Sequence, residues 1–221
     1  MQNDHKPRYI PALDYDWATP LYDFLIRLTM PETAFKRQLI EQAQINNTLR
    51  ILDLGCGTAT LTLQIKRASP DAEVRGIDGD PKILKIARAK ATRAELEIGL
   101  DEGMAFDLPY ADGAFDRVLS SLVLHHLSAE NKRRACAEVL RVLRPGGEFH
   151  VADFGKPHTL LMRFVASSLR ILGGAHTSSE NTQGLLPEIF RNAGFTAVEE
   201  TTCYRTLFGT LALYKAQKAT S

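Results

Sequence analysis

No run of about 18 apolar residues occurs in the chain, so no segment is expected to span a bilayer as a helix. The opening residues Met1 to Lys6 are polar and lead into no apolar stretch of the kind a secretory signal carries. Cysteine is sparse: Cys56, Cys136 and Cys203 are odd in number and far apart. That spacing offers no disulfide framework and fits reduced thiols in a cytoplasmic protein. No His, Cys and Asp cluster has ligand spacing, so no metal is expected. Charge of one sign is missing too. Lys and Arg total 27 against 26 Asp and Glu, a net charge of +1, and no nucleic-acid partner is expected. Internal repeats and low-complexity tracts are absent. What remains is ordinary globular material, 221 residues of which 44% are apolar, the size of one domain.

Helical spacing marks the first 47 residues. Leu21, Leu25 and Leu28 form one stripe, closed by Pro31, and Phe35, Leu39 and Ala43 form a second. From Arg50 the period changes. Arg50–Leu54 reads as a strand, followed by a helix with Leu61, Ile65 and Ala68 on one face. Glu73–Asp78 reads as the second strand, with Asp80 placed to cap the next helix and Pro81 at its first position. Leu84, Ala87 and Ala91 line that helix, a weaker strand lies near Leu96–Leu100, and Phe115–Ser120 is the fourth. Cys136, Val139, Leu140 and Leu143 point inward from the following helix. Pro145-Gly146-Gly147 then turns the chain into strand Glu148–Asp153. Such alternation implies an α/β fold with a parallel sheet covered on both faces. The chain closes on two runs, Thr196–Tyr204 and Thr206–Tyr214, expected to be neighbouring strands. Only Arg205 separates them, so a hairpin must borrow turn residues from one run or both. One domain is expected: an N-terminal helical lid (1–47), a cofactor-binding core (48–153), an acceptor-side insert (154–194) and terminal strands (195–221).

The turn after the first strand reads Leu52-Asp53-Leu54-Gly55-Cys56-Gly57-Thr58-Ala59-Thr60. Glycines here let backbone approach a ligand without a Cβ clash. In a doubly wound sheet this turn lies where ligands bind, at the carboxyl ends of the strands. Asp78 ends the second strand about twenty residues on, where a carboxylate can accept from both hydroxyls of a ribose. A tight turn with no ligand explains a Gly-x-Gly equally well. A nicotinamide dinucleotide fingerprint wants a third glycine at position 60, which is Thr60.

Taken together the motifs resemble those of class I S-adenosylmethionine-dependent methyltransferases. Leu52 to Ala59 resembles their first motif, and Gly76-Ile77-Asp78 with Asp80-Pro81 their second. Gly103 to Tyr110 resembles the segment before the fourth strand, Phe115 to His126 that strand and its exit, and Leu140 to Gly147 the turn into the fifth. Within the family the resemblance is to the ubiquinone/menaquinone C-methyltransferase-like group. It implies a Rossmann-like, doubly wound, mostly parallel seven-stranded sheet with an antiparallel last strand, and S-adenosylmethionine as cofactor. It also implies roles by position. Gly55 and Gly57 would lie against the methionine and ribose portions. Asp53 would hold the turn or the cofactor's amino group, and Asp78 the ribose hydroxyls. Ile77 or Gly79 would border the adenine. Met104 and Ala105 occupy the place of the family's Asp-Ala, so adenine meets a thioether instead of a carboxylate, with Asp101, Asp107 or water left to reach its amino group. Ser120 or Ser121 would contact the cofactor or finish the strand. Ala59 replaces the motif's third glycine.

Methyl transfer from a sulfonium is an in-line displacement in which the cofactor supplies electrophile and leaving group. The protein aligns a nucleophile and excludes water. A base is needed only where the nucleophile must lose a proton. His126 and His125, just past the fourth strand, are the candidate bases, or they fix the loop before the helix. His176, Thr177 and Asn181 form a polar rim over an acceptor pocket or serve helix capping and loop hydrogen bonding. Tyr9, Tyr15, Trp17 and Tyr22 form a lid wall that could shield the sulfonium, or simply pack. The stripe Leu161, Val165, Leu169 and Leu172, widened by Leu160, Phe164 and Ile171, suggests a lid or a peripheral membrane contact, or else a helix packed permanently on the sheet edge. The acceptor is then a small or lipid-like molecule. The Asn/Asp-Pro-Pro-Tyr segment of nucleic-acid amino methyltransferases is missing after the fourth strand, as is the two-glutamate loop of arginine methyltransferases. The competing readings are a non-catalytic cofactor-binding module serving a partner protein and a nicotinamide-dependent oxidoreductase.

Overall fold

The computed structural model describes residues 32–155, 181, 184–206 and 209–220. The first helical stripe, the aromatic cluster of residues 9–22, the apolar segment 157–173, His176 and Thr177 lie outside the described residues. Strand β1 spans Arg50–Leu54, β2 Glu73–Asp78, β3 Gly99–Glu102, β4 Phe115–Ser121, β5 Leu143–Phe154, β6 Thr196–Thr206 and β7 Gly209–Gln217. The helices are α1 (Glu32–Gln42), α2 (Thr60–Ala68), α3 (Pro81–Arg93), α4 (Ala129–Val142) and α5 (Leu186–Ala193). One sheet results, in the order β3-β2-β1-β4-β5-β7-β6. The five strands from β3 to β5 pair in parallel, and β7 runs antiparallel to both β5 and β6. The order reverses between β1 and β4, and the crevice outside their carboxyl ends is where such a sheet binds ligands.

Burial on both faces explains the composition of the central strands. Four of five residues of β1 are buried, and five of seven in β4. Leu52, Leu54, Val118, Phe149 and Val151 meet Cys136 and Val139 of α4 and Phe190 of α5 on one face. Ile51, Val74, Leu119 and Ala152 meet Phe35 and Leu39 of α1 and Leu61 and Ile65 of α2 on the other. Helix starts follow local chemistry. Asp80 accepts from the Lys82 amide at 2.8 Å with Pro81 behind it, and Ser128 caps α4 through the Asn131 amide. Gly194, at φ 105°, ends α5.

Several boundaries differ from expectation. Ala68 faces solvent and Leu63 faces inward, so α2 is rotated relative to the expected stripe. The third strand is displaced to Gly99–Glu102. Strand β5 begins at Leu143, because a register shift opposite Phe115 and Arg117 carries Pro145-Gly146-Gly147 within the ladder. The closing strands are neighbours, and their pairing ends at Thr206 opposite Gly209. The strand–helix alternation resumes at Leu186, earlier than expected. Leu186, Ile189 and Phe190 of α5 are core residues beside Phe149 and Phe195. Among the described residues no helix is long and apolar enough to cross a membrane.

Candidate active site

The turn after β1 uses its two glycines differently. Gly55 has φ 68° and lies under Val123, where an added Cβ would come within 2.4 Å of a Val123 methyl. Gly57 has φ 53°, and a Cβ there would meet nothing within 4 Å among the described residues. The first glycine faces protein and the second borders open space among the described residues. Between them the Cys56 amide donates to the Ile77 carbonyl at 2.9 Å, fastening the turn to β2. The Gly57 amide donates to Asp78 Oδ2 at 2.9 Å, and the Asp80 amide to Oδ1 at 3.0 Å. Gly79, between these partners, is half-buried. Burial raises the Asp78 carboxyl above its ordinary value, with those two amides opposing.

Asp53 sits beneath the turn on the α1–α2 face and is 1% exposed. The Thr62 hydroxyl donates to it at 2.6 Å. Burial pushes its carboxyl up to about 6, against the pull of the Thr62 hydrogen bond and of Lys36 on α1.

Beyond β3 the Gly103 amide donates to the Asp78 carbonyl at 3.1 Å, so the half-buried Met104 and Ala105 follow directly beside Asp78. The Asp107 amide closes this turn on the Met104 carbonyl at 3.0 Å. Asp101 is committed elsewhere. Arg75 grips it through Nε and Nη2 at 2.8–3.0 Å, and the Tyr110 hydroxyl donates to it at 2.8 Å. Helix α4 fixes the rest of the loop. Glu138 accepts from the Leu108 amide at 2.8 Å, and Arg141 donates to the carbonyls of Tyr110 at 2.7 Å and Leu108 at 3.0 Å. Of the two carboxylates expected as candidates for the adenine side, Asp107 alone remains exposed.

At the end of β4 the Ser120 hydroxyl is buried and donates to the Leu54 carbonyl at 3.2 Å, which spends it on strand joining. The neighbouring Ser121 hydroxyl oxygen is buried with no hydrogen-bond partner among the described residues. Leu122 then takes φ 60°, a left-handed conformation for a bulky residue, with its amide donating to the Ala152 carbonyl at 2.8 Å. This kink drops Val123 onto Gly55 and starts the short 3-10 turn Leu124–His126, anchored by the fully buried Leu124.

That turn brings His125 Nδ1 to 2.9 Å from Asp153 Oδ1 at the end of β5. Asp153 is completely buried. Besides the His125 ring it accepts from the amides of Phe154 at 2.7 Å and His125 at 3.3 Å, and from Asn181 Nδ2 at 3.2 Å. A carboxylate only accepts, so His125 carries a proton on the Nδ1 that faces Asp153. Burial alone would raise Asp153. The adjacent His125 ring, its hydrogen bond and the Phe154 amide outweigh burial and hold the carboxyl below the usual range. Phe154 meets the His125 ring edge-on, 4.9 Å between centroids. His126 lies against the same ring at 3.9 Å and reaches solvent. Desolvation first, and His125 second, hold His126 below the ordinary histidine value.

Asn181 is not on a rim: it is fully buried, and its Oδ1 accepts from Lys132 Nζ of α4 at 2.7 Å. Asp153, Asn181 and Lys132 were missed as a group. Helical phase could have found Lys132, which shares the inward face of Cys136 and Val139. No local pattern joins Asp153 to Asn181, 28 residues apart. Among the described residues no three His, Cys, Asp or Glu side chains converge as a metal site would require.

Comparison with known proteins places this arrangement. Residues 51–147 match the family described as a methyltransferase domain. A solved putative methyltransferase from Bacillus halodurans superposes with TM-score 0.68 at 19% identity, covering 83% of this chain and 98% of that one, which supports the fold. An uncharacterised methyltransferase of Synechocystis is 30% identical over 190 residues, 86% of this chain and 87% of that protein. The demethylmenaquinone methyltransferase of Thermus thermophilus is 36% identical over 176 residues, 76% of this chain and 79% of that protein. Similarity of that depth over three quarters of the chain makes it a member of the class I S-adenosylmethionine-dependent methyltransferases.

Proposed function

We propose that this methyltransferase acts on a quinol-type small-molecule acceptor, and that His125, held by Asp153, is the base that prepares it. The acceptor class follows the relatives named as demethylmenaquinone methyltransferases. The observation that carries the chemistry is the 2.9 Å contact between His125 Nδ1 and Asp153 in the crevice beside the glycine turn.

The crevice suits the cofactor. Gly57 borders empty space beside the Asp78 carboxylate, the Ser121 hydroxyl is unpartnered among the described residues, and Asp53 is a buried carboxylate beneath the turn. Gly55 and Gly57 would line the methionine and ribose portions, Asp78 would accept from the ribose hydroxyls, and Gly79, Met104 and Ala105 would border the adenine. Ser120, whose hydroxyl is engaged by Leu54, has only its backbone to offer. When bound, S-adenosylmethionine supplies an electrophilic methyl group and a neutral thioether leaving group.

A quinol ring carbon becomes a competent nucleophile when the neighbouring hydroxyl is ionised. His125 Nε2 would take that proton. The positive charge formed on the imidazole would be met by the buried Asp153 carboxylate at Nδ1. The activated ring carbon would be the acceptor for the methyl group the cofactor supplies, and loss of the ring proton would restore the aromatic system. His126, held neutral, adds no competing positive charge.

The test is methyl transfer from labelled S-adenosylmethionine to a panel of demethylated quinols, kept reduced, with purified protein. His125→Gln should lower turnover roughly 100- to 10,000-fold, the usual range for a general base, and leave S-adenosylhomocysteine affinity intact. Methylation at undiminished rate in that variant would overturn the assignment of the base. Transfer to none of the quinols, with activity on another acceptor class, would overturn the substrate class.

A further inference from the structure

We propose that the outer face of α2 and α3 docks the protein on an anionic phospholipid surface, with Ile86 entering between the headgroups. Neither helix contains an acidic residue. Lys66 and Arg67 lie on α2, and α3 carries five more cations in 13 residues. The whole chain is nearly balanced, at +1. With seven cations gathered on two helices, the rest of the chain stands at −6, 20 cations against 26 carboxylates. Charge segregated in this way gives the molecule a one-sided field that turns these helices toward an anion.

Burial decides which side chains are presented. Leu84, Ala87 and Ala91 face the core, so the opposite side of α3, with Lys85, Ile86, Ala89 and Arg93, faces solvent. Arg93 and Arg67 also line a groove of about 390 Å³ between the two helices, and no carboxylate of the described residues lines it. Lys90 braces this groove, donating to the Thr58 hydroxyl at 2.7 Å and the Thr60 hydroxyl at 3.1 Å. The acidic residues near α3 are placed elsewhere. Asp80 is engaged as the helix cap, and Glu95 and Glu97 line a separate groove toward β3 beside Arg88, which donates to the Leu100 carbonyl at 3.2 Å.

Ile86 selects the kind of anion. It is 48% exposed, the one large apolar side chain so placed among the described residues. An apolar residue among cations suits a bilayer interface, where the cations meet phosphate and the side chain enters the acyl boundary. A nucleic acid would use the cations and leave Ile86 in water. Helix α3 begins at Pro81, three residues past Asp78, so the face starts beside the crevice. A quinol-type acceptor dissolved in lipid would be met at such a surface. That last link rests on the function proposed above, whereas the charge and the exposure do not.

The test is co-sedimentation with vesicles of phosphatidylcholine alone and of phosphatidylcholine mixed with phosphatidylglycerol, with a DNA duplex as the rival polyanion. The protein should bind the mixed vesicles at low salt and ignore the neutral ones. It should release at about 1 M salt, where the screening length falls to about 3 Å. Arg67→Gln, Lys85→Gln and Arg93→Gln in one chain should weaken vesicle binding about a hundredfold, at about fivefold for each cation. Ile86→Ser should weaken it about five- to tenfold. Unfolding temperature and S-adenosylhomocysteine affinity in solution should be unchanged in both variants. If the triple variant does not fold, Lys85→Glu alone carries the decision, with an expected loss of about 25-fold for two units of charge. Absence of binding to the mixed vesicles, or binding that the charge variants retain, would overturn the proposal. Vesicle binding unaffected by Ile86→Ser, or a duplex bound as tightly as the vesicles, would overturn the lipid assignment and the proposal with it. Vesicle binding needs neither acceptor nor turnover. Quinol methylation without vesicle binding would therefore remove this inference alone, and vesicle binding without quinol methylation would remove only the acceptor class.

Discussion

Asp53 gives the sharpest physical prediction. Its carboxyl is buried beneath the glycine turn and is shifted from 3.8 to about 6. The shift of roughly two units corresponds to about 3 kcal/mol at 1.36 kcal/mol per unit. The folded value lies above the unfolded one, so the native state holds this proton more tightly than the unfolded chain does. The associated stability is complete below about pH 4 and is lost as pH rises through about 6. Asp53→Asn keeps an acceptor for the Thr62 hydroxyl and cannot ionise. The stability of the native protein relative to Asp53→Asn should therefore fall by about 3 kcal/mol between pH 4 and pH 7.5, or about 6–12 °C in relative unfolding temperature for a domain of this size. Urea unfolding of both proteins at a series of pH values measures the difference directly, and titrations elsewhere in the fold cancel. Saturating S-adenosylhomocysteine, whose ammonium offers a countercharge, should shrink the dependence if Asp53 faces the amino end of the cofactor. A difference that stays flat across this range would refute the argument that Asp53 is held ionised at neutral pH against its burial.

Three substitutions test the turn and the ribose assignment. Gly55→Ala should cost about 2–4 kcal/mol of stability through its positive φ and the Val123 clash, and Val123→Ala in the same chain should relieve the clash, as thermal unfolding would show. Gly57→Val should cost the fold only about 1–2 kcal/mol yet abolish S-adenosylhomocysteine binding by calorimetry; retained binding in that variant would remove the cofactor from this turn. Asp78→Asn should weaken the same binding roughly ten- to a hundredfold, the value of one charge-assisted hydrogen bond, and unchanged affinity would place the ribose elsewhere.

The parts of the fold that were legible in the sequence are those whose signal is local. Arg50–Leu54 and Glu73–Asp78 are strands with the expected limits, because a doubly covered strand is a short apolar run bounded by turn chemistry. Asp80-Pro81 announced the start of α3 for the same reason. Boundaries set by pairing were not legible. The start of β5 depends on a register shift against β4, and the start of β7 on which partner residue pairs with Gly209. The turn, Asp78 and the two histidines could be named from motif position, and the structure joins the first two through the Gly57 amide and the Asp78 carboxylate. What the sequence withheld was commitment. Nothing local says that Asp101 is consumed by Arg75 and Tyr110, that the Ser120 hydroxyl is consumed by Leu54, or that Asp153 stands behind His125. Each is a contact across strands or between a strand and a distant loop, invisible to any window of neighbouring residues.

Leu122 bears on how far the path after β4 is determined. Glycine is the residue that enters left-handed backbone freely, and at this position it would also enter every alternative freely. A leucine has fewer backbone conformations open to it than glycine, and here it is held at φ 60° with its amide pinned to the Ala152 carbonyl. The strain it carries narrows the ensemble of routes from the sheet to His125. Under the role proposed for His125, the entropy of aiming its imidazole would be removed during folding and not again at each turnover.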